Sequence, residues 1–173
     1  KQKLQEYIKA EETTQRNVSE AAKQVTEANN NQTATINITV IQKATLITST
    51  TNTSTGAFLG TTITRDKIVK VSFEDSIDGH VVDGTTCWDV GTISGQILMW
   101  IAGGDATNRY EIVIGQNGRV MANPNSSYLF SYIGYSSTAE IELENFDTSE
   151  TTNMSYMFYN CKNVASLDVT GFN

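Results

Sequence analysis

The chain has 173 residues, a size that suits one domain or a domain with an appendage and allows a sizeable core. Its 12 Lys and Arg against 19 Asp and Glu give a net charge of -7, which argues against nucleic acid or an anionic membrane as partner, because both require a basic surface. No stretch is long and apolar enough to span a bilayer and no signal peptide is legible; the start at Lys1 rather than Met suggests a piece of a longer protein.

In chain order, Lys3 to Asn29 reads as an amphipathic helix. Leu4, Ile8, Glu11, Gln15, Val18, Ala22, Val25 and Asn29 alternate in steps of four and three, a coiled-coil-like seam whose middle is polar. Within it, Gln5 to Glu12 resembles the exposed half of a type IV pilin-like helix; that resemblance implies an apolar anchor preceding Lys1 and a filament subunit, against a plain helix packed on its own domain or on a partner. Asn29-Asn30-Asn31 ends the helix, and Thr33 to Thr48 reads as a strand from the alternation of Ile36, Ile38 and Val40. Thr48 to Gly56 has almost no apolar residue and is expected to be a solvated linker.

Beyond the linker, Ile68, Val69, Val71 and Phe73 predict a strand, and Glu74 to Gly84 an acidic, glycine-punctuated connection. Gln96 to Ile101 is a continuous apolar run, either a buried strand or the end of a short helix, with Trp100 as a core anchor. Tyr110, Ile112 and Ile114 face Val120 and Ala122 across Asn117-Gly118, a strong hairpin signal, and Pro124 ends the second strand.

The last part carries a repeat. Ile141, Leu143, Asn145 and Phe146 recur as Leu167, Val169, Gly171 and Phe172, a step of about 26 residues. Asp147-Thr148-Ser149 supplies cap oxygens, and Met154, Met157 and Phe158 predict one short helical turn. Phe146-Asp147-Thr148-Ser149, Asn153-Met154-Ser155-Tyr156-Met157-Phe158, Asn160-Cys161 and Leu167-Asp168-Val169 together resemble the BspA-like leucine-rich repeat of bacterial surface proteins. Glu150-Thr151 and Thr170-Gly171 depart from that wording. Asn125 to Phe130 reads as a degenerate earlier copy of Asn153 to Phe158, and the resemblance covers roughly residues 57–173.

The expected fold is therefore α+β: an amphipathic helix (1–30), a Thr-rich strand and linker (31–56), a mixed β-rich cap domain (57–140) and the start of a leucine-rich-repeat-like solenoid (141–173). The function implied by the resemblance is that of a non-catalytic protein of the cell surface or extracellular space, adhering to host matrix, host cells or other bacteria through a protein ligand. Self-association is expected through the helix or through an exposed apolar solenoid edge at Leu167, Val169 and Phe172.

No catalytic, metal or cofactor site is expected. His80 is the only histidine and lies in a loop without a nucleophile elbow. Glu74, Asp75, Asp78 and Asp83 lack the spacing of a calcium loop and read as turn formers, and the glycine turns at Gly103-Gly104-Asp105 and Gly115 to Gly118 lack the Lys-Ser/Thr of a phosphate loop. No carboxylate pair stands out for a secreted hydrolase. Cys87 and Cys161 match no metal or redox spacing; one disulfide between them stays open, with buried free thiols as the expectation, since the repeat puts a small buried residue at Cys161. Tyr128, Phe130, Tyr132, Tyr135, Tyr156, Phe158 and Tyr159 have two readings. The phenylalanines are core layers, and Tyr132, Tyr135, Tyr156 and Tyr159 are the candidate contact surface.

Overall fold

The computed structural model describes residues 43–49, 52–105 and 107–172. The chain divides into two units, Lys1–Gln42 and Lys43–Asn173, and the described residues all belong to the second. The expected helix from Lys3 to Asn29 and most of the expected strand from Thr33 lie outside them.

Among the described residues seven strands form: β1 (Ile68–Glu74), β2 (Cys87–Asp89), β3 (Ile97–Gly104), β4 (Tyr110–Gln116), β5 (Val120–Met121), β6 (Glu140–Ile141) and β7 (Phe146–Asp147). Five of them make a mixed sheet in the order β2-β3-β4-β1-β6, and β5 pairs with β7 in a second, two-stranded sheet. β1 sits between two parallel neighbours, β4 (Val71 opposite Ile112) and β6 (Val71 opposite Ile141), while β3 is antiparallel to both β2 and β4. The apolar run at Gln96 to Ile101 is thus a strand, buried because it is central.

The two faces of this sheet sort the side chains by parity. Val71 and Phe73, Ile97 and Met99, and Ile112 and Ile114 point into the main core with Phe130 and Phe146. Cys87, Leu98, Trp100 and Val113 form a smaller cluster with Ile77. Gly115 lets the Trp100 ring lie close: a Cβ there would stand 2.8 Å from the ring and 2.4 Å from the Ser76 carbonyl oxygen.

Four expectations need correction. The fold is not α+β among the described residues: the only helical pieces are 3-10 turns at Phe58–Gly60 and Arg65–Lys67, and sheet dominates. Nor do residues 141–173 build a leucine-rich-repeat-like solenoid capped by that domain. β6 has two residues and is the edge of the five-stranded sheet, and Leu167 to Val169 forms no strand, because after the single bridge between Ala139 and Val164 its backbone finds no ladder partner among the described residues. The Asn117-Gly118 turn exists, with Gly118 at φ +93°, yet it closes no hairpin. Both sides of β4 are already taken by β1 and β3, so the chain swings into β5 and pairs with β7 instead.

The expected helical turn at Met154 to Phe158 is also absent. Residues 155–160 are consecutive hydrogen-bonded turns, as are residues 127–134. Turn bonds from Leu129, Ser131 and Ile133 N–H to the carbonyls three residues back alternate with bonds across to the later segment: Tyr128 N–H to Ser155 O, Phe130 to Met157, Tyr132 to Tyr159. A helix would need every one of those N–H and C=O groups for its own ladder. Here residues 127–134 commit every second N–H, and residues 155–160 the carbonyls of Ser155, Met157 and Tyr159, to the neighbouring segment, so the backbone coils through left-handed residues instead.

Candidate functional site

Those left-handed residues are tyrosines. Tyr128, Tyr132 and Tyr156 have φ of +58°, +65° and +58°, with Asn160 at +59° in the position equivalent to Tyr132. Positive φ suits Gly and Asn, and is an outlier for a bulky side chain. The consequence of this backbone is a single aromatic cluster. Tyr128 and Tyr156 stack with centroids 5.0 Å apart and planes 8° from parallel, and Tyr159 stands edge-on to Tyr128, Tyr132 and Tyr156. Tyr135 joins through Tyr132 at 5.3 Å, and the Lys162 ammonium lies 4.5 Å over the Tyr135 ring. Tyr156 is 61% exposed, Tyr159 44% and Tyr135 36%; Tyr132 is half-buried. All four tyrosines of the expected contact surface are thus brought together. Tyr128 and Lys162 belong with them, and the 28-residue interval between Tyr128 and Tyr156 is the signal that could have added Tyr128.

Beneath the tyrosines, Phe130 is fully buried and Phe158 stacks on it at 5.5 Å. Phe172 continues the row, 6.3 Å from Phe158 and 6.2 Å from Phe146. Of the expected apolar edge, only Val169 is exposed; Leu167 and Phe172 are half-buried against the core. Val169 and Phe172 share with Met154, Tyr156, Phe158 and Tyr159 a groove of about 410 Å³.

The hydrogen bonding of the two turn segments has a direction. The earlier segment gives N–H donors to the carbonyls of Asn153, Ser155, Met157 and Tyr159. The equivalent donors of the later segment, on Met154, Tyr156, Phe158 and Asn160, meet no acceptor among the described residues. At the opposite side, the carbonyls of Leu129 and Ser131 are met by Arg65, whose Nη1 donates to them at 2.7 and 3.0 Å while Nη2 donates to Ser49 Oγ at 2.6 Å. Arg65 is fully buried, 5.3 Å over the Phe58 ring, and burial lowers its pKa to about 10. Nothing in the sequence marks it, since a lone arginine reads as surface. Two copies of the chain set edge to edge would oppose donors with donors, so this row does not favour symmetric pairing.

The other candidates separate. His80 stacks on Trp100 at 3.7 Å. Asp83 closes its own loop, taking bonds from Thr85, Thr86 and Cys87 N–H and from the Thr86 hydroxyl, and the Thr86 hydroxyl bond foremost holds its carboxyl well below the usual range. Among the described residues no group of three or more His, Cys, Asp or Glu is placed to hold a metal ion. Cys87 and Cys161 are both free. The Cys161 thiol donates toward Phe130 O at 3.1 Å, and burial pushes it up to about 11.

Together these features define a sheet protein with a partly exposed cluster of tyrosines. Compared with family models, curated proteins and solved structures, the chain matches none.

Proposed function

We propose that this chain is a non-catalytic surface protein that adheres to a protein ligand through the face formed by Tyr128, Tyr132, Tyr135, Tyr156 and Tyr159. The observation that carries the reading is the clustering of five rings of which three, Tyr135, Tyr156 and Tyr159, are exposed and three, Tyr128, Tyr132 and Tyr156, stand on left-handed backbone where Asn would sit at lower cost, with Tyr156 in both sets. Tyrosine supplies a large, stiff, amphipathic contact at low entropic cost, which is why it is enriched at protein interfaces. The acidic balance of the chain favours a basic or neutral partner. The resemblance of Phe146 to Val169 to the BspA-like repeat supports a place on a bacterial surface and a host matrix or cell-surface protein as ligand.

The test is binding of the chain to immobilised fibronectin and collagen and to cultured epithelial cells, with and without the triple substitution Tyr135→Ala, Tyr156→Ala, Tyr159→Ala. Hot-spot rings of this kind cost about 2 kcal/mol or more each when truncated, so adhesion should fall by well over about tenfold. Unchanged adhesion by a folded triple variant would remove the tyrosine face from the mechanism.

A further inference from the structure

The two turn segments pair through four bonds that all run one way. Ser126, Tyr128, Phe130 and Tyr132 N–H donate to the carbonyls of Asn153, Ser155, Met157 and Tyr159 at 2.9, 3.1, 2.9 and 2.8 Å. The segments share their backbone, with Tyr128 and Tyr156 both at φ +58° and Tyr132 and Asn160 at +65° and +59°. The N–H groups of Met154, Tyr156, Phe158 and Asn160 are therefore aimed onward, away from the earlier segment, and none meets an acceptor among the described residues. Arg65 closes the carbonyl end of the pair at Leu129 and Ser131. The donor end is open.

That open edge borders the groove of about 410 Å³, whose apolar lining is Met154, Met157, Phe158, Val169 and Phe172. No residue of the earlier segment lines it, so the groove lies on the donor side. Whatever covers the groove takes water from the four N–H groups and must give them acceptors in its place, because a desolvated backbone donor left unpaired is costly.

We propose that this edge binds a peptide segment of a partner chain, coiled as residues 153–160 are, which sets alternate carbonyls on the four N–H groups and apolar side chains in the groove. The mode is the one the chain already uses between its own two segments, moved on by one. Other occupants leave something unmatched. An acyl chain fills the groove and strands the donors; an anion meets the donors and sets its charge against apolar side chains. A regular extended strand shows N–H and C=O in turn along its edge and opposes donor with donor. A second folded copy has no such carbonyl row to offer, since those of Asn153 to Tyr159 are taken by its own earlier segment and those of Leu129 and Ser131 by Arg65. Tyr156 and Tyr159 border the groove, but the inference rests on the donor row and stands without the adhesion reading.

The experiment is amide hydrogen exchange, followed by NMR on the full chain, during titration with the synthetic peptide Asn-Met-Ser-Tyr-Met-Phe-Tyr-Asn, the chain's own residues 153–160. A scrambled peptide of the same composition and an alternating Val-Thr peptide of the same length are the comparators. Exchange at Met154, Tyr156, Phe158 and Asn160 should slow by about tenfold or more at saturation, while Tyr128, Phe130 and Tyr132, already bonded, stay unchanged. Val169 is 44% exposed, so Val169→Lys should keep the fold, place a charge in the groove and weaken the peptide by about tenfold or more. Tyr135→Ala lies outside the groove and should bind the peptide as the unsubstituted chain does even where it lowers adhesion, which separates the two readings. No slowing at the four amides, an equal effect from either comparator, or undiminished binding by Val169→Lys would overturn the assignment.

Discussion

Arg65→Ala probes the feature on which the tyrosine segments rest. The guanidinium spans the carbonyls of Leu129 and Ser131, which have no other donor in the structure among the described residues, and its loss leaves both buried and unpaired, at about 1 to 3 kcal/mol each. The buried aliphatic stem adds about 2 kcal/mol at roughly 0.8 kcal/mol per methylene. Against this stands relief of a buried charge that has no carboxylate partner. Burial lowers its pKa from the ordinary guanidinium value to about 10, and at 1.36 kcal/mol per unit that relief is on the order of 3 kcal/mol. Carbonyl and packing losses win, and the net destabilisation should be near 3 kcal/mol. The sign of the charge component can be checked against pH. A base whose folded pKa is depressed makes the unfolded chain bind more protons between about pH 10 and 12.5, so its contribution to stability rises with pH only in that window. At pH 7 it is constant, and urea unfolding followed by the fluorescence of Trp88 and Trp100 isolates the structural effect. Hydrogen exchange should also quicken first at the amides of Tyr128, Phe130 and Tyr132. A loss below about 1 kcal/mol with unchanged exchange would mean that Arg65 does not cap the segment.

Other perturbations test the layers above and below. Phe130→Ala removes a fully buried ring that touches Phe73, Phe146 and Phe158, and should cost about 3 to 5 kcal/mol by the same urea assay. Phe158→Ala, half-buried, should cost less than that; the reverse order would put the wrong ring in the core. Tyr156→Asn exchanges a strained left-handed tyrosine for the residue already tolerated at Asn160, gaining about 1 to 2 kcal/mol of backbone relief and losing about 0.5 to 1.5 kcal/mol of stacking on Tyr128. Stability should therefore stay within about 1 kcal/mol while ligand adhesion drops, and a large loss of stability would show that the ring serves the fold. Alkylation of Cys161 by iodoacetamide at pH 8 should be much slower than that of free cysteine and should quicken only toward pH 11, where the thiolate forms. Rapid labelling at pH 8 would contradict its burial.

Much of this molecule was legible in local pattern. The alternation in Ile68 to Phe73 marks β1, and the matched wording of Asn125 to Phe130 and Asn153 to Phe158 foretells two segments of one conformation, now seen side by side with Asn125 bridging Asn153. The turn chemistry of Asp83 and Gly118 also follows from residue type, because an Asp oxygen reaches nearby N–H groups and glycine accepts positive φ at no steric cost.

Long-range pairing was decided elsewhere. Asn117-Gly118 promised a hairpin, but a turn only brings strands near one another, and β4 had both edges filled by segments distant in sequence. Met154 and Met157 carried a helical spacing that the cross-segment bonds of Tyr128, Phe130 and Tyr132 overruled, since the paired backbone on either side sets the local conformation once the segments meet. The same bonds put tyrosines on left-handed backbone, which no propensity would suggest. Arg65 is the plainest case. By residue type it belongs in water, and only the tertiary arrangement, which leaves two carbonyls without donors beside Ser49, makes a buried guanidinium the favourable solution.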